Sequence, residues 1–209
     1  APPSDAPVDA GQVEMGRRAV LRDPRFYLLL PAYVFVAFFF TGIVIHHHLL
    51  ADAKGWTMGQ LAAGFVGYGV VRVATFFLAG PLIDRLSARR VFVFHLLPLL
   101  LSLGVLALFR APWAVGLYLG LMAVSASTVG LTGVAMWAEL YGTRHFGSIK
   151  SMVATIGVLA SALGPLVVGA FLEGPFGLRG LLTTAAAAVV VVTFLAWLAM
   201  RHTTTTTAA

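Results

Sequence analysis

The sequence contains no cysteine and few charged residues, and each shortage limits what the protein can be. Of the 209 residues, 11% are charged and 59% are hydrophobic, whereas soluble domains carry about 25% charged residues. Eight acidic and fourteen basic side chains cannot cover a soluble globule of this length. Without cysteine there are no disulfides or thiolate metal sites. A soluble domain is therefore excluded, and the mean hydropathy of +0.92 indicates a membrane protein.

The sequence also lacks the common motifs of enzyme chemistry. It has no HExxH zinc motif, no Walker loop, no GxGxxG turn and no Gly-x-Ser-Gly nucleophile of an intramembrane protease. We therefore predict no enzyme activity, no cofactor and no metal site. The formal net charge is +6, but the basic residues lie in short loops between apolar runs rather than in one patch, so nucleic acid is not an expected partner.

Six apolar runs are long enough to cross a bilayer, since a helix needs ~20 residues to span a ~30 Å hydrocarbon core. Their predicted limits are 26–50, 58–82, 91–109, 113–138, 149–171 and 180–200. The sequence therefore predicts an all-α membrane protein with a six-helix transmembrane bundle over residues 25–200. Residues 1–24 are expected to form a largely flexible cytoplasmic segment, and residues 201–209, with their threonine run, a disordered tail.

The basic residues of the loops predict an orientation. Ten of them lie on the side of the N terminus, and three, Lys54, Arg110 and Arg179, lie on the opposite side. Loops rich in lysine and arginine stay in the cytoplasm. Both termini are therefore expected to be cytoplasmic, in a multi-pass protein that we place in a bacterial inner membrane.

The loop after the second run carries a family resemblance. It reads Gly-Pro-Leu-Ile-Asp-Arg-Leu-Ser-Ala-Arg-Arg over residues 80–90. This resembles the G-x-x-x-D-[RK]-x-G-[RK]-[RK] signature of the major facilitator superfamily. Gly80, Asp84, Arg85 and Arg89 match the signature, whereas Ser87 stands at its second glycine.

Three further segments are similar to the C-terminal six-helix half of that twelve-helix fold. Residues 21–26 resemble the entry to helix 7, residues 139–147 resemble the loop between helices 10 and 11, and residues 162–165 resemble the Gly-Pro kink of helix 11. The resemblance implies an N-terminal six-helix half as partner and a helix kink at Gly164 and Pro165. It also implies a conformational latch at the cytoplasmic rim, formed by Gly80, Asp84, Arg85, Arg89, Arg90, Glu139 and Arg144.

Arg72 is the one charged residue near the middle of an apolar run. No Asp or Glu lies in any of the six runs, and Lys150 lies at the edge of the fifth. Because an arginine at the bilayer centre costs ~2.5–3.5 kcal/mol on insertion scales, we expect Arg72 to face a polar cavity. Its counter-charge would come from a substrate, from backbone carbonyls or from the partner half.

An arginine at this place resembles the monocarboxylate and oxalate/formate types of the superfamily, in which it contacts the substrate carboxylate. The Asp that monocarboxylate transporters place four residues earlier is Tyr68 here, and the fifth run has no lysine at the position of the oxalate-type protein. A singly charged anion is therefore the more suitable substrate. We take Arg72, Tyr68, Tyr33 and His48 as candidate substrate-binding residues.

The predicted function is secondary active transport of a small organic anion, a monocarboxylate, by alternating access, with H⁺ as a candidate coupled ion. Two alternatives stay open. The chain could belong to an exporter of drug-like or amphipathic compounds, in which Arg72 serves gating. It could also be a non-transporting membrane sensor or scaffold, in which Arg72 and Asp84 are dispensable.

Overall fold

The computed structural model describes residues 14–201, apart from the side chains of Leu82 and Asp84. This part of the chain is helical and contains no strand. Its helices are α1 (Arg17–Val20), α2 (Pro24–Ile45), α3 (His47–Lys54), α4 (Met58–Leu86), α5 (Ala88–Phe94), α6 (Leu97–Leu108), α7 (Trp113–Tyr141), α8 (Phe146–Glu173) and α9 (Gly177–Arg201).

Six segments are long and apolar enough to cross a membrane, as predicted. They are α2, α4 as far as Pro81, α5 with α6, α7, α8 and α9. The first segment is shorter than the predicted run, because it ends at Ile45 and residues 47–54 form the separate helix α3. The break falls at His46, the first of three consecutive histidines, whose ring nitrogen Nδ1 lies 2.9 Å from the carbonyl oxygen of Gly42.

Local capping explains where the first two spans begin. Asp23 caps α2, since its side chain accepts a hydrogen bond from the backbone N–H of Arg25 at 2.9 Å. Thr57 and Gln60 form a capping box at the start of α4: each side chain bonds the other residue's backbone N–H, at 3.2 and 2.9 Å. Gly55, with φ of 73°, ends α3 in the left-handed conformation that glycine adopts without strain.

The third span is interrupted between α5 and α6. Pro98 follows this break and has no N–H to donate to the carbonyl of Phe94. The buried His95 occupies the interruption, where its ring nitrogens lie near the carbonyl oxygens of Phe92 and Ala32. Its own carbonyl accepts from the Ser125 hydroxyl at 2.7 Å. These contacts give His95 a structural role in joining three helices.

The six spans are arranged around two main helix pairs. The helix α2 packs most extensively against α8, and α4 packs most extensively against α7. The third span packs on α7, and α9 packs on both α2 and α6. The two pairs meet through α7, which also contacts α2 and α8.

Two glycines allow α2 and α8 to approach closely. A Cβ on Gly42 would lie 2.8 Å from the carbonyl oxygen of Gly164, and a Cβ on Gly164 would collide with the carbonyl oxygen of Phe38. Small residues at facing positions are the usual means of close helix packing in membranes. Gly164 thus has a packing role in α8, which runs through Pro165 as one helix; the predicted kink at Pro165 stays a prediction.

The outer faces of α4 and α8 are apolar and exposed. Only 17% of the residues in the apolar windows of these helices are buried, compared with 56% in the third and fourth spans. The exposed side chains include Val66, Val70, Phe77, Leu163 and Leu166. Such faces need a covering of lipid or of further helices.

The contact at Gly164 leads to a stability prediction. In Gly164→Ala the new methyl group meets backbone, which cannot move aside as a side chain can. We expect the free energy of unfolding to fall by about 1–3 kcal/mol and the thermal midpoint in detergent to fall with it. The control is Gly116→Ala in α7, where a Cβ meets nothing within 4 Å. A wild-type midpoint for Gly164→Ala would contradict this packing.

Candidate substrate cavity

A cavity of about 450 Å³ lies between α2, α4, α7 and α8. Its walls are mainly apolar, with a few hydroxyl groups and one charged side chain, that of Arg72. The lining residues are Tyr33, Val36, Ala37, Phe40, Thr41, Tyr68, Arg72, Ala126, Val129, Gly130, Ala154, Gly157, Val158 and Ser161. Apolar walls with few polar groups are typical of a small-molecule site.

Arg72 and Tyr68 form the polar centre of the cavity. They lie one turn apart on α4, and Arg72 Nη1 donates a hydrogen bond to the Tyr68 hydroxyl at 3.0 Å. The backbone carbonyl of Arg72 accepts from the Ser127 hydroxyl of α7 at 3.3 Å. Among the described residues, no carboxylate lines the cavity. A guanidinium has five N–H donors. In the described part of the chain, the Tyr68 hydroxyl is the one side-chain acceptor that bonds the Arg72 guanidinium.

The two cavity tyrosines are held by aromatic neighbours. Phe40 of α2 stacks on the Tyr68 ring, with the ring centres 5.2 Å apart. Tyr33 lies edge-on to Trp137, with ring centres 6.1 Å apart, and its ring occupies the space where Gly133 has no side chain. The structure therefore brings together three of the four predicted binding residues, Arg72, Tyr68 and Tyr33.

His48, the fourth predicted residue, does not line the cavity. It is exposed on α3, in the segment that the predicted first run had wrongly included in a span. Its neighbour His47 is buried instead, with Nε2 2.7 Å from the Tyr118 hydroxyl, and burial lowers the pKa of His47 to about 4. In the described part of the chain, no three His, Cys, Asp or Glu residues are grouped so as to hold a metal ion.

Sequence reasoning missed one polar pair in the cavity wall. The hydroxyl oxygens of Thr41 in α2 and Ser161 in α8 lie 2.8 Å apart and share a hydrogen bond. A signal was available, because Thr41 is the only serine or threonine in the first apolar run and Ser161 lies in a stripe of small residues. Their pairing across 120 residues depends on the close approach of α2 and α8.

An ion pair joins two helices near the turn between α4 and α5. Arg89 of α5 places Nε 3.2 Å from the Glu139 carboxylate near the end of α7 and donates from Nη2 to the Glu139 carbonyl at 2.7 Å. Both side chains are partly exposed. Arg144 lies on the adjoining loop, where its backbone N–H donates to the Glu14 carboxylate at 2.9 Å.

In the described part of the structure, the other predicted latch residues do not join the Arg89–Glu139 ion pair. Arg85 and Arg90 are exposed on either side of the turn between α4 and α5. A Cβ added at Gly80 would meet nothing within 4 Å, so packing does not require a glycine at this position. The side chain of Asp84 lies outside the described part of the structure.

Comparison with protein families gives one match. The model of the Major Facilitator Superfamily matches residues 28–208, which include all but the first few residues of the six spans. The chain belongs to this superfamily. A search of the curated proteins and a search of the solved structures each gave no match. The protein is thus a multi-pass membrane transporter, and members of this superfamily bind small-molecule substrates within the lipid bilayer.

The turn between α4 and α5 holds Ser87 in a backbone conformation that favours glycine. Ser87 has φ of 73° and ψ of 145°, a conformation that costs a non-glycine residue about 1–3 kcal/mol. In the Major Facilitator Superfamily signature this position is the second glycine. The turn between α4 and α5 therefore carries a serine in a conformation that favours glycine, and it places Arg89 beside Glu139.

Proposed function

We propose that this chain forms half of the substrate path of a secondary active transporter for a small, singly charged organic anion, a monocarboxylate. One observation carries the proposal: among the residues that the structure describes, Arg72 is the only charged one that lines the central cavity. A guanidinium that lies among apolar walls within a membrane span favours an anionic ligand, because an unpaired charge in the bilayer is costly.

The chemistry of the cavity favours a carboxylate of one charge. The planar guanidinium matches a carboxylate in bidentate geometry, and no second cation lines the cavity to balance a dianion. Tyr68 supplies a hydroxyl beside the Arg72 fork, and Val36, Val129 and Val158 supply walls for a short hydrocarbon chain. A cavity of about 450 Å³ accommodates such a molecule.

The other half of the path would be a second six-helix bundle. Substrate sites in such transporters lie between two bundles near the bilayer midplane, and the exposed apolar faces of α4 and α8 offer surfaces for a partner. Because no carboxylate lines the cavity, an acidic group for H⁺ coupling would come from the N-terminal half. We propose an inner-membrane location with both termini in the cytoplasm, from the distribution of basic loop residues.

The apolar walls favour one second candidate, an exporter of amphipathic compounds. In that case Arg72 would act in gating rather than in contact with the transported molecule. The two functions differ in what competes for the cavity: short carboxylates in the first case and hydrophobic toxins in the second.

Substitution of Arg72 tests the main proposal. We expect Arg72→Gln to lower counterflow of radiolabelled acetate, lactate or pyruvate in proteoliposomes at least tenfold, since a hydrogen bond to a charged group contributes about 1.5–3 kcal/mol. The matched control is Arg18→Gln, which removes an exposed charge from α1. Methyl esters of the same acids should not compete in the wild-type protein.

Two outcomes would contradict the anion proposal. One is uptake of every tested monocarboxylate that survives Arg72→Gln unchanged. The other is resistance to hydrophobic toxins that depends on the protein while no carboxylate competes; this result would favour the exporter.

We further propose that the Arg89–Glu139 pair acts with Asp84 as a conformational latch at the cytoplasmic rim. The pair joins α5 to α7, so relative movement of these helices would break it. A partly exposed ion pair contributes ~0–1 kcal/mol. Its loss would shift the balance of conformations modestly and leave the cavity intact.

The latch predicts a specific kinetic change. We expect Glu139→Gln to alter the maximal transport rate up to about fivefold, the factor that 1 kcal/mol gives, with little change in the substrate concentration at half-maximal rate. Glu173→Gln, at the opposite end of the bundle, is the control. A change confined to apparent substrate affinity would argue against a latch.

A further inference from the structure

A second cavity lies apart from the substrate cavity, at the membrane face opposite the termini of the bundle. It has a volume of about 790 Å³ and opens between α6, α9 and the end of α3. Its wall combines basic residues with leucine and phenylalanine side chains. Its lining includes Lys54, Arg110, Arg179, Leu103, Leu182 and Phe176.

All three basic residues of this membrane face converge on the second cavity. Lys54, Arg110 and Arg179 come from three different segments. The sequence alone predicts only that they mark one side of the membrane. No acidic residue in the part of the chain that the structure describes lines the cavity, and Asp52 and Glu173, the nearest carboxylates in sequence, are not part of its wall. In the described part of the chain, neither Arg110 nor Arg179 forms an ion pair.

In the described part of the chain, the ammonium group of Lys54 has no carboxylate partner. Its ammonium group donates to the backbone carbonyls of Leu106 and Phe109, the second at 3.1 Å. Burial, and after it the nearby charge of Arg110, lowers the pKa of Lys54. The start of α9 at Gly177 adds the positive end of a helix dipole. An anion placed here would relieve repulsion among these groups.

The position of the cavity favours a lipid over a soluble anion. The helices α6 and α9 do not line the substrate cavity, and both carry exposed apolar residues such as Leu101, Val190 and Phe194. These faces lie within spans and must meet hydrocarbon. Below the basic residues, Leu103 and Leu182 continue the wall into the apolar part of the bundle. The cavity thus has a cationic mouth and an apolar floor.

We propose that this cavity binds an anionic phospholipid, with the phosphate between Lys54, Arg110 and Arg179 and an acyl chain between α6 and α9. The amphipathic wall matches both parts of such a molecule, whereas a free anion would leave the apolar floor uncovered. The site is independent of the proposed transport function, because it shares no residue with the substrate cavity.

The test measures lipid binding to the full-length protein purified in detergent. Native mass spectrometry and thermal unfolding are recorded with phosphatidylglycerol, with phosphatidylethanolamine and with soluble glycerol phosphate. We expect phosphatidylglycerol alone to remain bound and to raise the midpoint. The double variant Arg110→Gln/Arg179→Gln should bind it roughly tenfold or more weakly, since each basic residue near an anionic lipid contributes ~1 kcal/mol.

Two further variants separate this site from general effects. Arg110→Lys/Arg179→Lys keeps the charge and should keep binding, which distinguishes a lost site from a damaged fold. Arg17→Gln/Arg18→Gln removes two exposed charges from α1 and should bind as the wild type does.

Three results would overturn the proposal. They are equal binding of the two phospholipids, an equal stabilisation by glycerol phosphate, and retention of phosphatidylglycerol by the double glutamine variant.

Discussion

A single positive charge within an apolar helix bundle is the constraint on which the account of this transporter depends. In hydrocarbon an unpaired guanidinium is costly, so the helices around Arg72 must supply polar partners, a cavity and room for an anion. They do so with the Tyr68 hydroxyl, with a gap between four spans and with walls that carry no second charge. The remaining compensation would come from the substrate and from a second bundle, and this makes Arg72 the link between fold and proposed function.

Close packing elsewhere keeps this cavity open in a defined shape. The Gly42–Gly164 contact brings α2 against α8, and the Thr41–Ser161 hydrogen bond forms beside it in the cavity wall. On the other side, Tyr33 fills the space left by Gly133. Since the contacts between α2 and α8 are made by small residues and backbone, these two helices approach closely without large side chains between them.

The sequence was sufficient for features that depend on local pattern. Run length predicted six spans, and a four-residue spacing placed Tyr68 beside Arg72 on one helix face. It was insufficient where distant segments meet. The pairing of Thr41 with Ser161, the convergence of Lys54, Arg110 and Arg179 on one cavity, and the burial of His47 rather than His48 all depend on how helices pack. Hydropathy alone also could not show that the first run ends at Ile45, because the leucines that follow the histidines belong to α3.

The most direct test of the central claim asks whether an anion occupies the space beside Arg72. Because the chain has no cysteine, Ala126→Cys would place a single thiol in the cavity wall next to Ser127, which contacts the Arg72 backbone. The rate of its alkylation by a small maleimide is measured with and without a transported monocarboxylate. We predict that the carboxylate protects the thiol from alkylation, that its methyl ester does not, and that protection is lost when Arg72→Gln is added. Protection that persists in the Arg72→Gln background would contradict it.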